Sequence, residues 1–246
     1  MEEKKNIVSS SKKSKKTLII IIVSVLTAVI VAVVISLLIL HSSKDSDDDY
    51  DYSDSYYNET EKPQKELTES EKMIAELYKL LDEKLVFDTG NYIEGEIPEG
   101  EYAFVKMSEG SGYYEEDDAS GEIIDNENFS SFGYVKVHGV GNLETRGVLI
   151  NVSAFERLGV SGAKEIYEKL NNKSDWNQSG YYKVGFDIEP GKYILESIGN
   201  GYWSILTGPV SSNDIVSNDN FNGKATVNLK NGQYLELNRA KVTKAE

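Results

Sequence analysis

The sequence predicts a mainly β protein with short helices: an N-terminal transmembrane helix, then two similar small antiparallel β-sandwich or barrel modules, each preceded by a helix. Three observations carry that prediction. Residues 17–40 form a 24-residue run without a charge, residues 41–66 hold almost no aliphatic side chain, and the remaining chain repeats itself over about 60 residues. The expected boundaries are a basic tail at 1–16, an anchor at 17–40, an acidic spacer at 41–66, and helix-plus-β modules at 67–152 and 153–246.

The anchor follows from length and flanks. At 1.5 Å per residue, Thr17–Leu40 gives roughly 36 Å of helix, enough for a hydrocarbon core of about 30 Å. A cleaved signal peptide has an apolar region of about 7–15 residues and a small-x-small cleavage site. This run is longer and ends in Ile39-Leu40-His41. Lys12, Lys13, Lys15 and Lys16 precede it, and Asp45 and Asp47–Asp49 follow it. The excess of positive charge on one side predicts a cytoplasmic N-terminus and an extracytoplasmic C-terminal part. The expectation is therefore a single-pass cell-membrane protein, held in the bilayer by residues 17–40.

Charge sharpens the picture. The chain carries a net −15, but residues 1–16 hold six Lys and two Glu, while residues 41–246 hold 20 basic and 39 acidic residues, a net of −19. Such an outer part repels nucleic acid and anionic lipid, and no nucleic-acid partner is expected. No cysteine is present, so disulfides, thiolate catalysis and thiolate zinc sites are excluded. Their absence from an outer domain of this size favours a bacterial surface. Sequons at Asn58, Asn128, Asn151, Asn172 and Asn177 matter only in a host that glycosylates.

The spacer cannot bury enough apolar surface to offset its ordering entropy, and its like charges extend it. Its Asp run is not an EF-hand loop, because the Gly and Glu that such a loop requires do not follow Asp47 at the right offsets. A helix is predicted from Thr68, where Thr68 and Glu71 form a capping box, with Met73, Ile74, Leu77, Leu80 and Leu81 on one face. A second helix is predicted over Ser161–Leu170, with Val160, Ala163, Tyr167 and Leu170 aligned.

The repeat is read from ordered matches. Gly90, Tyr92 and Gly95 answer Gly180, Tyr182 and Gly185; Ile97, Gly100 and Tyr102 answer Ile188, Gly191 and Tyr193. Gly112-Tyr113-Tyr114 answers Gly201-Tyr202-Trp203, Asn126–Phe129 answers Asn218–Phe221, and Val135, Leu143 and Glu144 answer Val227, Leu235 and Glu236. Period-two patterning and turn residues make each copy a set of short strands. Glu189-Pro190-Gly191-Lys192 is a turn sequence. Lys230-Asn231-Gly232 reads as a three-residue hairpin loop with Gly232 left-handed and Val227 opposite Leu235. Duplicated positions should keep their facing, so both Phe129/Phe221 and Val135/Val227 are expected to be buried.

The pattern Val184-Gly185-x-Asp187-Ile188-x-Pro190-Gly191-x-Tyr193, with the later Asn-Asp-Asn-Phe and Gly-x-Tyr-Leu-Glu-Leu elements, resembles a β-rich tandem repeat module of uncharacterised Gram-positive surface and secreted proteins. It covers 180–242 well and 90–150 loosely, where Glu96 is the nearest stand-in for Asp187. The resemblance implies an extracytoplasmic module and brings no activity.

Residues for catalysis are scarce. Beyond the anchor the only histidines are His41 and His138, with His138 expected as a solvated imidazole at a strand end, so triads and imidazole metal sites lack their parts. No catalytic residue, metal site or cofactor is predicted, and no enzyme activity is expected; carboxylates alone could supply one. Aromatics are the better lead, with 16 Tyr and two Trp. Neighbours in a strand face opposite ways. Trp203 shares parity with Ile205 and is expected in the core, which leaves Tyr202 and its counterpart Tyr113 outward as ligand-binding candidates. The expected function is binding, with cell-wall glycan or a surface protein as partner; a structural display stalk or a carboxylate-dependent hydrolase is the alternative.

Overall fold

The computed structural model describes residues 66–107, 112–171 and 178–245. The expected tail, anchor and spacer as far as residue 65 lie outside them. Among the described residues no helix is long and apolar enough to cross a membrane.

Helix α1 (Glu69–Asp82) starts where the sequence places it. The Thr68 hydroxyl accepts from Glu71 N at 3.2 Å, and Glu71 Oε2 accepts from Thr68 N at 2.7 Å. This reciprocal pair satisfies two of the donors that a helix start leaves open. Met73, Leu77 and Leu80 are buried, while Ile74 and Leu81 are half-buried.

A first β-region follows: β1 (Val86–Phe87), β2 (Gly90–Tyr92), β3 (Gly100–Val105), β4 (Gly112–Asp117), β5 (Ile123–Phe129), β6 (Phe132–Val137), β7 (Leu143–Thr145) and β8 (Val148–Asn151). A short 3-10 turn, α2 (Phe155–Leu158) and α3 (Ala163–Asn171) lead into a second region. That region comprises β9 (Gly180–Lys183), β10 (Gly191–Leu206), β11 (Ile215–Phe221), β12 (Lys224–Leu229) and β13 (Tyr234–Lys244). The protein is mainly β, with three antiparallel sheets and few short helices.

The sheets run β1-β8-β3-β6, β2-β7-β4-β5, and β11-β10-β13-β9 with β12 on β10. Sequence-matched residues stand on the same rungs. Tyr102 faces Val135 as Tyr193 faces Val227, and Gly112 faces Phe129 as Gly201 faces Phe221. Tyr114 faces Thr145 as Trp203 faces Leu237, and Tyr92 faces Leu143 as Tyr182 faces Leu235. The difference is continuity. In the second region β10 and β13 run unbroken through one five-stranded sheet, with a register shift between Ser197 and Tyr202, whereas the first region breaks the corresponding strands between two sheets.

Two expectations need correction. Gly232 does adopt positive φ (81°), and Gln233 N closes a turn onto Lys230 O at 3.1 Å. The flanking strands, however, do not form a hairpin. β12 pairs with the front half of β10, placing Val227 opposite Tyr193, and β13 pairs with β9 and β10, placing Leu235 opposite Tyr182 and Ile205. A turn sequence fixes the loop but not which edge each strand joins. Secondly, Phe129, Val135 and Val227 are buried as expected, but Phe221 is only half-buried: β5 and β11 are both edge strands, and Phe129 is covered by Phe104 and by Tyr181 of the second region.

Four tyrosines fasten strand entries in one manner. The hydroxyls of Tyr92, Tyr102, Tyr182 and Tyr193 donate to the carbonyls of Asp88, Pro98, Gln178 and Glu189, each four residues upstream. This is the local geometry of a tyrosine corner, in which a ring spans a turn and ties its backbone down. The two β-regions also share one continuous hydrophobic core within the compact unit 63–246. Phe132 and Tyr134 of β6 are fully buried, with Phe132 edge-on to Tyr182 and Tyr134 edge-on to Tyr234. At the matched positions of β12 stand Lys224 and Thr226, both exposed. Apolar side chains thus occupy this strand face where it meets the other region, and polar ones where it meets solvent.

Candidate functional site

Two places concentrate chemistry: the seam between the regions and the outer face of the β2-β7-β4-β5 sheet. At the seam the Asp187 carboxylate accepts from Lys164 N at 2.9 Å, Lys183 N at 2.8 Å and the Tyr134 hydroxyl at 2.7 Å. Tyr134 in turn accepts from Ala163 N at 2.9 Å. The opening N–H groups of α3 are therefore capped by one side chain from each β-region. Asp187 keeps some exposed surface as a residue, but its carboxyl is enclosed, and burial raises its pKa to about 6 against the pull of those donors. The counterpart expected for Asp187, Glu96, accepts only from Ile93 N at 3.1 Å and caps no helix.

Beside it, Lys183 Nζ donates to Glu101 at 2.6 Å and lies 4.6–5.7 Å from the ring centres of Phe186, Tyr234 and Tyr134. An aromatic cage of this sort recognises cations, and here the chain fills it with its own lysine. The Tyr181 hydroxyl donates to Glu127 at 2.7 Å, and Tyr181 stands opposite Glu236. Burial, then the neighbouring Glu127, raise the Glu236 pKa to about 7. These groups fasten one region to the other, so their perturbed titration reflects structure.

His138 is not a free surface imidazole. Its Nδ1 lies 3.0 Å from Oε2 of Glu116, a residue only 1% exposed, which also accepts from His138 N and Gly139 N at 2.8 Å. The buried carboxylate closes the β6–β7 loop. The sequence held no sign of it, since Glu116 alternates correctly for the core but carries a charge.

The outer sheet face is different. β4 sends Tyr114 and Glu116 inward and Tyr113, Glu115 and Asp117 outward, as the period of two requires. Across the sheet Asn91 faces Glu144, Glu144 faces Glu115, and Glu115 faces Asn126, which makes a ladder of amides and carboxylates perpendicular to the strands. Tyr113 is half-buried, donates to Glu115, and has the Arg146 guanidinium 5.2 Å from its ring centre. That hydrogen bond to a carboxylate raises its pKa to about 12, so the phenol keeps its proton. Arg146 Nε also pairs with Glu144 at 2.9 Å, offsetting the repulsion of Glu144 and Glu115 on facing strands. Asn91, Ile93, Glu115, Asp117, Asn142 and Glu144 line a groove of about 270 Å³ beside this ladder.

Tyr202 occupies the matched rung of a separate sheet, facing Asn220 as Tyr113 faces Asn128. It too is half-buried, and its hydroxyl accepts from Asn218 Nδ2 at 3.1 Å. The structure does not give it the same surroundings. Ser204, matched to Glu115, is fully buried, and Tyr181, matched to Asn91, is covered by Glu127 and Phe129 of the first region. Trp203, expected in the core, is half-buried against it. Among the described residues no cluster of three or more His, Asp or Glu side chains could hold a metal ion. No protein-family model, curated protein or solved structure matches the chain.

Proposed function

We propose that the protein is a membrane-anchored, extracytoplasmic binding protein, built from two copies of one β module, and that its ligand is cell-wall glycan. The single observation that carries this reading is Tyr113, set on a rigid sheet at the head of an open ladder of amides and carboxylates. Sugars present apolar C–H faces that suit an aromatic ring, and hydroxyl pairs that suit the planar groups of Asn, Asp and Glu. Glu115 supplies such a group beside the ring, and Glu144 and Asn91 continue the row across the sheet. A sheet holds them at fixed spacing, so little ordering entropy opposes binding.

The expectations of a bilayer anchor at 17–40, an extracytoplasmic outer part and kinship with a Gram-positive surface repeat support this setting. In this reading Tyr113 is the principal contact and Tyr202 a weaker one, because its neighbourhood is taken up by the seam. The second reading is a carboxylate hydrolase, favoured by the facing pair Glu115 and Glu144 in a groove. A surface-protein partner at this face is the third.

Retention on purified cell wall tests the proposal. Tyr113→Ala should weaken retention by about tenfold, the loss typical of a contact worth somewhat over 1 kcal/mol, and Tyr202→Ala by less. Release of reducing ends from the wall that disappears in Glu144→Gln would establish the hydrolase instead. Wall retention unchanged in Tyr113→Ala would sink the glycan reading.

A further inference from the structure

Strand β11 is the least protected element of the fold. Ile215 to Asn220 are exposed on both faces of the strand, and among the described residues β11 pairs with β10 alone. An edge strand of seven residues leaves a row of backbone N–H and C=O groups open to another strand. Protective devices are missing. The stretch Ile215-Val216-Ser217-Asn218-Asp219-Asn220-Phe221 contains no Pro and no Lys, one charge, and an exposed aliphatic pair at its start.

In the first region the side chains of β5, the strand matched to β11, are engaged within the chain, and the backbone edge of the neighbouring sheet at β6 is bridged. There Ser211 N donates to Asp125 at 2.8 Å and Tyr181 to Glu127, both on β5. Beside them Val210 bridges to Val135 of β6 through Val210 N to Tyr134 O at 3.0 Å and Lys136 N to Val210 O at 2.8 Å. The β6 edge of this fold thus takes up a piece of extended backbone, and among the described residues no such segment lies along β11.

We propose that β11 pairs antiparallel with β11 of a second copy of this chain, about a two-fold axis through Asn218. The register follows from facing and charge. A two-fold axis perpendicular to the sheet keeps like faces together, so a residue and its opposite number must share parity. Centred on Asn218, Asp219 stands opposite Ser217, Val216 opposite Asn220, and Ile215 opposite Phe221. Centred on Asp219, two carboxylates would face each other, which is destabilising. The Asn218 register also brings the half-buried Phe221 ring against Ile215 twice, once on each side of the axis.

Charge favours a second copy at this edge. Residues 86–151 hold 14 acidic and three basic residues, whereas residues 180–244 hold six acidic and seven basic. Contact through β11 thus joins the near-neutral regions of two copies. The pairing is isologous and closes at a dimer. A seven-residue strand pair is a small contact, so the dimer is weak in dilute solution and strengthened where the chain is concentrated on one surface.

The absence of cysteine makes a clean test possible. Ser217→Cys, Asn218→Cys and Asp219→Cys are introduced singly into the full-length chain and oxidised in the membrane of the producing cell. Facing Cα atoms in an antiparallel pair lie about 4.5–5.5 Å apart, a spacing that admits a disulfide. The proposal expects Asn218→Cys to give a covalent dimer in at least about fivefold higher yield than either neighbour alone, because only residue 218 faces itself. It also expects Ser217→Cys and Asp219→Cys, produced together, to cross-link to each other. Adding Val216→Lys, an edge lysine of the kind that blocks strand pairing, should lower the Asn218→Cys yield by about tenfold. Equal yields at all three positions, no dimer at Asn218→Cys, cross-linking to a different protein only, or a yield indifferent to Val216→Lys would each overturn it. Thermal melts of each variant against the parent exclude loss of folding, since every position is on the exposed strand.

Discussion

Replacing Tyr134 by Phe deletes one oxygen, and the structure lets its cost be worked out. The hydroxyl sits at 0% exposure between the Asp187 carboxylate, to which it donates, and Ala163 N, from which it accepts. Removing it leaves the Ala163 N–H buried and unpaired, worth about 1–3 kcal/mol, and takes a charge-assisted bond from Asp187, worth about 1.5–3 kcal/mol. The losses share one site and are not fully additive, so the expected total is about 3–4 kcal/mol at pH 8. For a unit of this length each kcal/mol moves Tm by roughly 2–4 °C, giving a fall of about 6–16 °C. The loss should also depend on pH. Asp187 titrates near 6 in the fold against 3.8 unperturbed, so its contribution is fully present below about pH 3.8 and is lost as pH rises through about 6. The Tyr134 hydroxyl favours the ionised carboxylate and limits that loss. Without it the Asp187 pKa climbs further, and the variant suffers more at pH 8 than at pH 5. Urea unfolding at both pH values, followed by tryptophan emission and near-ultraviolet circular dichroism, measures this. A cost below about 1 kcal/mol at pH 8, the size of an ordinary single hydrogen bond, or equal costs at the two pH values, would refute the capping account.

Three further outcomes are expected. Phe132→Ala, at a fully buried seam position, should cost about 3–5 kcal/mol, while Lys224→Ala at the matched exposed position of β12 should stay within about 0.5 kcal/mol, both read from urea midpoints. Gly141→Ala should destabilise by at least about 2 kcal/mol, because a Cβ there would lie 2.1 Å from Asp117 O and 2.5 Å from Asp118 O, backbone atoms that cannot swing aside; a melt within error of the parent would contradict that geometry. Glu236 has its pKa raised from 4.5 to about 7, so its stabilisation is present below about pH 4.5 and lost as pH rises through 7. Glu236→Gln should therefore flatten the fall in Tm between pH 5.5 and pH 8, and an unchanged slope would assign that fall elsewhere.

Much of the fold was legible because its signals are local. The Thr68 capping box, the α3 periodicity and the alternation of β4 each lie within a dozen residues, and each led to the right element. Residues aligned between the two regions do stand on like rungs, as Gly112 opposite Phe129 and Gly201 opposite Phe221. What could not be read was partnership at a distance. The Asn231-Gly232 turn signals a tight loop, yet β12 and β13 pair with β10 rather than with each other, because β10 is long enough to take both. The candidate face was half legible. Parity sent Tyr113 outward, but the ladder through Asn91, Glu144, Glu115 and Asn126 depends on the β2-β7-β4-β5 order. Parity misjudged the setting of Tyr202, since it says nothing of the first region, whose Glu127 and Phe129 cover Tyr181 on the rung of Ser204. Glu116 was invisible for a related reason: its donors, His138 and Gly139, come from a loop about 20 residues on.

The four tyrosine latches carry a consequence for where such a chain can work. A secreted domain commonly holds its loops with disulfides, whose survival depends on the redox poise of the surroundings. Here phenol hydroxyls clasp backbone carbonyls at each strand entry, in a chain that has no sulfur to oxidise at cysteine. Neither thiols nor mild oxidants act on such a clasp, and salt has no ion pair there to screen. Burial and nearby carboxylates lift the Tyr92 phenol to about 12, so it keeps its donor proton through any ordinary growth pH. The chain can thus pass between aerated and anoxic surroundings with its loops closed, needing no oxidative folding machinery to set them.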